Sequence, residues 1–160
     1  MTGTIGDAAL GLLVARGKLK APALEKRYRL PQPRTTLGPR LVGIASATAD
    51  ISDGLLADAR HIADASRLSV HIERDLVPLS AEAKRLLART PTLWANALGG
   101  GDDYELAIAV PTRKRARLLA AARTAGVKVT CIGAFTRGKG VALTVSGHAR
   151  RAAQTGYTHF

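Results

Sequence analysis

The chain has 160 residues and a mass of 16.8 kDa, the size of one ordinary domain that can bury its own core. It is 46% hydrophobic and 22% charged, a composition that excludes a largely disordered protein. No apolar run approaches the roughly 20 residues of a membrane-spanning helix, and Cys131 is the single cysteine, which excludes an internal disulfide. We predict one domain over residues 1–160, in the cytoplasm.

The charge balance is strongly basic. Twenty-four Lys and Arg against twelve Asp and Glu give a net charge of +12. This suggests an anionic partner, which can be nucleic acid, a membrane surface or a phosphorylated metabolite. Aromatic residues make up only 4% of the chain, which is a poor supply of rings for stacking on single-stranded nucleic acid.

The first forty residues predict one helix followed by a lead-in segment. Residues 6–14 are rich in leucine and alanine and predict a helix that ends near Gly17. Two X-Pro steps and a Gly-Pro pair disfavour helix beyond it, so residues 18–40 are expected to be mostly irregular or extended. The core is expected to occupy residues 41–160.

Beyond residue 44 the pattern alternates between strands and helices. The expected order is a strand at 45–50, a helix from 55, a strand at 70–76, a helix at 80–87, a buried strand at 104–110, a basic helix at 112–125 and strands at 127–135 and 141–145. The Gly-Lys-Gly run at 138–140 predicts a hairpin between the last two strands. The expected fold class is α/β (α+β), a mixed sheet flanked by helices.

The first acidic motif is Asp50-Ile51-Ser52-Asp53-Gly54-Leu55. Asp50 is expected to end a strand and Asp53 to stand at the mouth of the next helix, beside free backbone N–H groups. Mg²⁺ accepts one or two carboxylates together with phosphate oxygens, and a helix N-terminus favours the negative charge of phosphate. Both Mg²⁺ and a phosphate group therefore suit this place. The alternative is that Ser52 or Asp53 caps the helix while Asp50 pairs with an arginine.

The second acidic motif follows three glycines at positions 99–101 and contains Asp102, Asp103 and Glu105. Glycines let a loop approach a ligand closely, and the three acids concentrate negative charge. This favours a cationic or amine-bearing ligand. The alternative is a flexible turn whose acids keep the start of a strand soluble.

Four motifs in this order and spacing resemble the C-terminal half of thiamine-monophosphate kinases, which belong to the superfamily of aminoimidazole ribonucleotide synthetase and selenophosphate synthetase. The motifs are TGTIGDAA at 2–9, DISDGL at 50–55, GGDDYEL at 100–106 and GYTHF at 156–160. The resemblance implies the C-terminal domain fold of that superfamily. It also implies transfer of the terminal phosphate of ATP to thiamine monophosphate, giving thiamine diphosphate.

The resemblance also implies roles for individual residues. Asp50 and Asp53 match acids that hold Mg²⁺, and Ser52 matches a serine that touches the nucleotide. Asp102 matches an acid, usually Glu in the family, that contacts thiamine phosphate, so its carboxylate here is one methylene shorter. Tyr157 matches an aromatic residue that stacks on the pyrimidine, although a tail aromatic packed against the core is equally open.

The resemblance further implies a missing half. In the family an N-terminal domain precedes the Thr-Gly-Thr motif and supplies most Mg²⁺ carboxylates, much of the ATP site and the principal dimer contacts. This chain begins at Met1, next to that motif. We therefore expect weak Mg-ATP binding and little activity from the chain alone. Completion is expected through a full-length homodimeric form or an N-terminal half supplied in trans.

Two other classes remain open at this point. A nucleic-acid-binding module would use the net charge of +12 but leaves both acidic motifs unexplained, and no helix-turn-helix, zinc or RNP signature is present. A non-catalytic remnant of a kinase is the other.

Overall fold

A computed structural model describes residues 1–151, with side chains described for residues 1–148. The elements are α1 (Asp7–Ala15), α2 (Pro22–Arg29), β1 (Ala47–Asp50), α3 (Leu55–Ala65), β2 (Leu68–Glu73), α4 (Ala81–Arg89), α5 (Trp94–Gly99), β3 (Leu106–Ala109), α6 (Arg115–Thr124), β4 (Gly133–Arg137), β5 (Gly140–Val145) and β6 (His148–Arg151). Within this part of the chain, no helix is long and apolar enough to cross a membrane.

The strands form two sheets. β1 and β3 make an antiparallel pair, and the other four strands make a mixed sheet in the order β4-β2-β5-β6. In the mixed sheet β2 runs parallel to β5 and antiparallel to β4, while β5 and β6 are antiparallel. The predicted α/β class, with a mixed sheet flanked by helices, is confirmed.

Helix α3 joins the two sheets into one core. Its apolar positions follow helical spacing, and Leu55, Ala59 and Ile62 are buried against β2 and the β1–β3 pair. Helix α6 packs Leu118 and Ala122 against the other face of β3. β3 is therefore covered on both of its faces, by α3 on one side and by α6 on the other.

The predicted hairpin between the last two strands is wrong. β4 and β5 do follow one another across Gly138 and Lys139, but β2 lies between them in the sheet. Arg137 pairs with Leu68 and Gly140 pairs with Ser69, so the short connection crosses over the start of β2. The local Gly-Lys-Gly signal marks a tight connection correctly, whereas the strand inserted between its arms comes from far away in sequence.

The expectation for residues 18–40 is wrong in part, because α2 occupies Pro22–Arg29. Pro22 stands in the first turn, where backbone N–H groups have no partner within the helix. The missing N–H of proline therefore costs the helix no hydrogen bond there. Leu24 is fully buried against α1. Gly11 permits this approach, since a Cβ there would lie 2.1 Å from the Leu24 carbonyl oxygen. The X-Pro steps that argued against helix all lie beyond its end.

Two further boundaries differ from expectation. β3 begins only at Leu106 because Tyr104 has a positive φ of 51°, which ends extended structure. Only Ala107 of its four residues is fully buried. The strand predicted at 127–135 is divided into an isolated bridge at Val129 and the later strand β4. The six-residue helix α5 was not predicted, since it is too short to show a clear period.

Candidate functional site

The two acidic motifs lie side by side because the pairing of β1 with β3 continues beyond both strands. Ile51 donates its N–H to the Glu105 carbonyl oxygen at 2.7 Å, and its own carbonyl accepts from Tyr104 N–H at 3.0 Å. One residue further, the Ser52 carbonyl accepts from Asp102 N–H at 3.0 Å. Motifs separated by about fifty residues in sequence therefore form one continuous surface, with Asp50 at the end of β1.

Glycine is required where the two loops cross. A Cβ on Gly101 would lie 1.9 Å from the Ser52 carbonyl oxygen. Gly54 has a φ of 120°, and a Cβ there would lie 2.7 Å from the Gly99 carbonyl oxygen. Any side chain at either position would push the loops apart. The close approach predicted for the glycines is thus to the other loop of the site.

The N–H groups of the first acidic turn are not free, contrary to the expectation. Asp58, in the first turn of α3, is buried, and its Oδ2 accepts hydrogen bonds at 3.1 Å from the N–H groups of Ser52, Asp53 and Gly54. Burial raises the pKa of Asp58, against the opposing effect of these bonds. The N-cap position of α3 is Gly54 rather than Ser52 or Asp53.

Asp102 is the outward acid of the glycine loop. It is exposed and has a φ of 67°, a left-handed conformation that Asp and Asn tolerate better than most residues. The left-handed Tyr104 follows two residues later. Two positive-φ residues in such a short stretch are typical of loops held in one conformation for function.

Asp103 points inward instead. It is 2% exposed, and its two carboxylate oxygens accept from Gly6 N–H at 2.7 Å and Ala8 N–H at 3.0 Å. It therefore caps the start of α1 from a distant part of the chain. Burial raises its pKa to about 7, and the neighbouring Asp7 adds to that rise.

Glu105 is also internal, with no exposed surface. Its oxygens accept from Thr2 Oγ1 at 2.7 Å, from Arg27 Nη2 at 3.2 Å and from Arg34 Nε at 2.6 Å. A second bond from Arg34 makes that pair bidentate and raises the pKa of the Arg34 guanidinium. The carboxylate thus ties the lead-in segment to the site, so that of the three acids in the glycine motif only Asp102 is exposed.

Of the predicted site residues, Asp50, Ser52, Asp53 and Asp102 all lie in the two paired segments, where Asp50 and Asp102 are exposed and Ser52 and Asp53 are half-buried. Asp50 is exposed and makes no ion pair among residues 1–148, so the predicted pairing with an arginine is not found there. Tyr157 lies outside the described residues. The sequence reasoning missed Asp58, whose signal was an acid in the first turn of an otherwise apolar helix.

The donor set suits a partial magnesium site. Asp50 ends β1 and Asp53 lies in the turn before α3, and carboxylate oxygens are the ligand type that Mg²⁺ prefers. Across the part of the chain that the structure describes, no three His, Cys, Asp or Glu side chains are grouped to hold a metal ion. Two carboxylates fit a cation that takes its remaining ligands from phosphate, water or other protein groups.

The chain matches one protein family over most of its length. Residues 1–146 match the family described as AIR synthase related protein, C-terminal domain. The chain is 40% identical to the thiamine-monophosphate kinase of Caulobacter vibrioides, covering 99% of this chain and 47% of the relative. It is 37% identical to that of Escherichia coli K12, covering 100% and 51%. The chain thus spans about half the length of the curated relatives it matches.

Solved structures lead to the same family. The thiamine-monophosphate kinase of Stenotrophomonas maltophilia superposes with a TM-score of 0.81 at 39% identity, covering 93% of this chain and 49% of that one. AaThiL complexed with AMPPCP and TMP superposes with a TM-score of 0.79 at 30% identity, covering 99% and 50%. E. coli HypE, a hydrogenase maturation protein, shares the fold at 24% identity. The chain belongs to the AIR synthase related family as its C-terminal domain, and its relatives are thiamine-monophosphate kinases.

Proposed function

We propose that this chain is a single domain that supplies the substrate-side half of a cytoplasmic thiamine-monophosphate kinase. The observation that carries the proposal is the junction of the two acidic loops, in which Asp50 and Asp102 are exposed. In the reaction, the substrate phosphate oxygen attacks the terminal phosphorus of ATP. The bond from that phosphorus to the bridging oxygen breaks, and ADP leaves with the electron pair.

Each outward group has a role that its chemistry supports. Asp50 and Asp53 hold Mg²⁺, which neutralises charge on the phosphates when it is bound. Ser52 contacts the nucleotide. Asp102 faces the cationic thiazolium of the substrate, for which an exposed carboxylate is a suitable partner. Tyr157 stacks on the pyrimidine ring.

The inward acids support this surface without touching a ligand. Asp58 fixes the turn that carries Ser52 and Asp53, while Asp103 and Glu105 fix the two sides of the loop that carries Asp102. Preorganised geometry of this kind matters for phosphoryl transfer, because that reaction depends on positioning and charge neutralisation. Two carboxylates are a small ligand set for Mg-ATP, so the chain alone is expected to turn over little.

The test is a chimaera that joins this chain to the first half of the E. coli K12 thiamine-monophosphate kinase, the part that the match leaves uncovered. We expect the purified chimaera to convert ATP and thiamine monophosphate to thiamine diphosphate in the presence of Mg²⁺. The isolated chain serves as the control and is expected to form little product. A folded chimaera that makes no thiamine diphosphate would contradict the proposal, as would an isolated chain as active as the E. coli enzyme.

A further inference from the structure

A cavity of about 610 Å³ separates the two sheets. One wall is β3 and the residues that follow it, and the opposite wall is residues 129–135, which include the start of β4. Leu55, Ala59 and Ile62 of α3 close one face, and Leu118 and Leu119 of α6 border the other. The cavity is therefore a slot between two strand edges, covered above and below by helices.

The first residues of the chain already occupy one end of this slot. Thr2 donates its N–H to the Leu106 carbonyl oxygen at 3.0 Å, on the β3 side. On the other side, Thr2 forms an antiparallel bridge with Val129, and Thr130 N–H donates to the Met1 carbonyl oxygen at 2.8 Å. Met1 and Thr2 are thus paired with both edges, as the residues of a central strand are.

The free edge of β3 continues past Thr2. The Glu105 carbonyl points to Ile51 and the Leu106 carbonyl points to Thr2, so successive residues face opposite edges. This alternation places the N–H and C=O groups of Ile108 on the same edge as those of Leu106, facing the slot. An edge of this kind is a template for pairing with another strand.

We infer that the slot is the docking site for one extended strand, antiparallel to β3 and to residues 131–135, which would join the two sheets into one. The occupant is a mainly apolar strand from a polypeptide that carries the first half of a thiamine-monophosphate kinase. Its apolar character follows from the helices on both faces, because strands buried on both faces are near-continuous in hydrophobic residues. The choice of this partner rests on the proposed function, whereas the slot does not.

The length of the relatives and the position of the slot support this occupant. The curated relatives are about twice as long as this chain, so they contain polypeptide with no counterpart here. The direction of Met1 and Thr2 brings any strand in line with them directly into the cavity. Such a strand would gain backbone hydrogen bonds on both sides, the recognition mode known as β-augmentation.

Cys131 provides a natural reporter, since it lines the slot, is exposed and is the single cysteine of the chain. The probe is a synthetic peptide of about eight residues, a common strand length. Its sequence is that of the residues that immediately precede the matched region in the Caulobacter vibrioides kinase. The matched control is the same peptide N-methylated at alternate residues, which keeps its apolar side chains but cannot donate to one of the two strand edges.

We expect saturating peptide to slow alkylation of Cys131 and amide exchange at Ile108 by about tenfold or more. The N-methylated peptide should change neither rate by more than about twofold. A second arm extends the chain itself at its N-terminus by the same residues, and Cys131 should then be protected without added peptide.

The proposal is overturned if neither the peptide nor the extension protects both sites, or if the N-methylated peptide protects equally well. Binding of an apolar dye that the peptide fails to displace would also overturn it, in favour of a small-molecule pocket. Self-association of the chain that protects Cys131 would overturn it in favour of a second copy. Because no readout involves kinase activity, an inactive chimaera that still shows protection would contradict the proposed function alone.

Discussion

The six acids around the two loops divide into an outward set and an inward set. Asp50 and Asp102 are exposed and Asp53 is half-buried, whereas Asp58, Asp103 and Glu105 are buried and accept hydrogen bonds from the chain. The glycine loop contains acids of both sets. The turn that carries Asp53 is held by Asp58, an inward acid in the following helix. Acids clustered in one motif can thus differ in environment: some side chains reach the surface, and others are buried and hold the loop in its conformation.

The largest expected effect is on the inward set, from Glu105→Ala. Removing this fully buried carboxylate leaves the half-buried Arg27 and Arg34 without their partner, because both pair with it. We expect a loss of about 3–5 kcal/mol in the free energy of unfolding, measured with urea. The matched control is Glu25→Ala, which removes an exposed pair with Arg29 and should cost about 0.5 kcal/mol or less. Equal losses for the two variants would contradict this division.

Asp103→Asn tests the second inward acid and its pH dependence. Asn offers one acceptor in place of two, so one of the N–H groups of Gly6 and Ala8 loses its bond, at a cost of about 1–3 kcal/mol. The pKa of Asp103 is raised to about 7 in the folded chain, so the folded state binds more protons than the unfolded state between about pH 4 and 7. Stability from this group therefore falls as pH rises through that window.

Asn does not titrate, so the pH dependence contributed by Asp103 is absent from the variant. The difference in unfolding free energy between the original chain and Asp103→Asn should be larger at pH 5 than at pH 8. Urea unfolding at the two values provides the test. A difference that stays constant or widens with rising pH would show that the pKa of Asp103 is not raised.

The inward role of Asp58 predicts a smaller effect. In Asp58→Ala the N–H groups of Ser52, Asp53 and Gly54 lose their acceptor, although the turn can regain water. We expect a loss of about 1–2 kcal/mol in thermal or urea unfolding. Asp64→Ala is the control on the same helix, since Asp64 makes an exposed pair with Arg60 and should contribute less than about 0.5 kcal/mol. Equal losses in the free energy of unfolding for Asp58→Ala and Asp64→Ala would contradict a stabilising role of the Asp58 carboxylate in this turn.

The smallest effect on stability is expected from the outward Asp102→Asn. Asn tolerates the left-handed conformation at this position, so the free energy of unfolding should stay within about 0.5 kcal/mol. In the chimaera, loss of the carboxylate should raise the KM for thiamine monophosphate while the KM for ATP stays the same. Asp102→Glu, which keeps the charge, should retain substrate binding. A matching rise in both KM values would place Asp102 outside the substrate site.

The sequence predicted the outward set better than the inward one. Asp50 at the end of a strand and Asp102 after three glycines follow from local pattern and from resemblance to the kinase motifs. Asp103 and Glu105 could not be assigned in this way, because their partners Gly6, Ala8, Arg27 and Arg34 are 71 to 97 residues away. Local sequence carries no signal for such pairs.

The fold shows the same limit. Helices α3 and α4 begin where their sequence signals predict, with the Ser80 hydroxyl accepting from Ala83 N–H at the start of α4. The hairpin at residues 138–140 was wrong because a distant strand, β2, separates its arms. Helix α2 was missed because prolines beyond its end were given too much weight. In each case the missing information was tertiary.

The measurement that tests the central claim most directly compares Asp50→Asn with Asp58→Ala in the chimaera, by Mg²⁺-dependent formation of thiamine diphosphate and by urea unfolding of the same samples. The division predicts that Asp50→Asn lowers product formation by about a hundredfold or more with no change in the free energy of unfolding. Asp58→Ala should lower the free energy of unfolding, because it removes the acceptor of three backbone N–H groups. An Asp50→Asn variant that keeps its activity, or that loses activity only in proportion to its stability, would contradict the account.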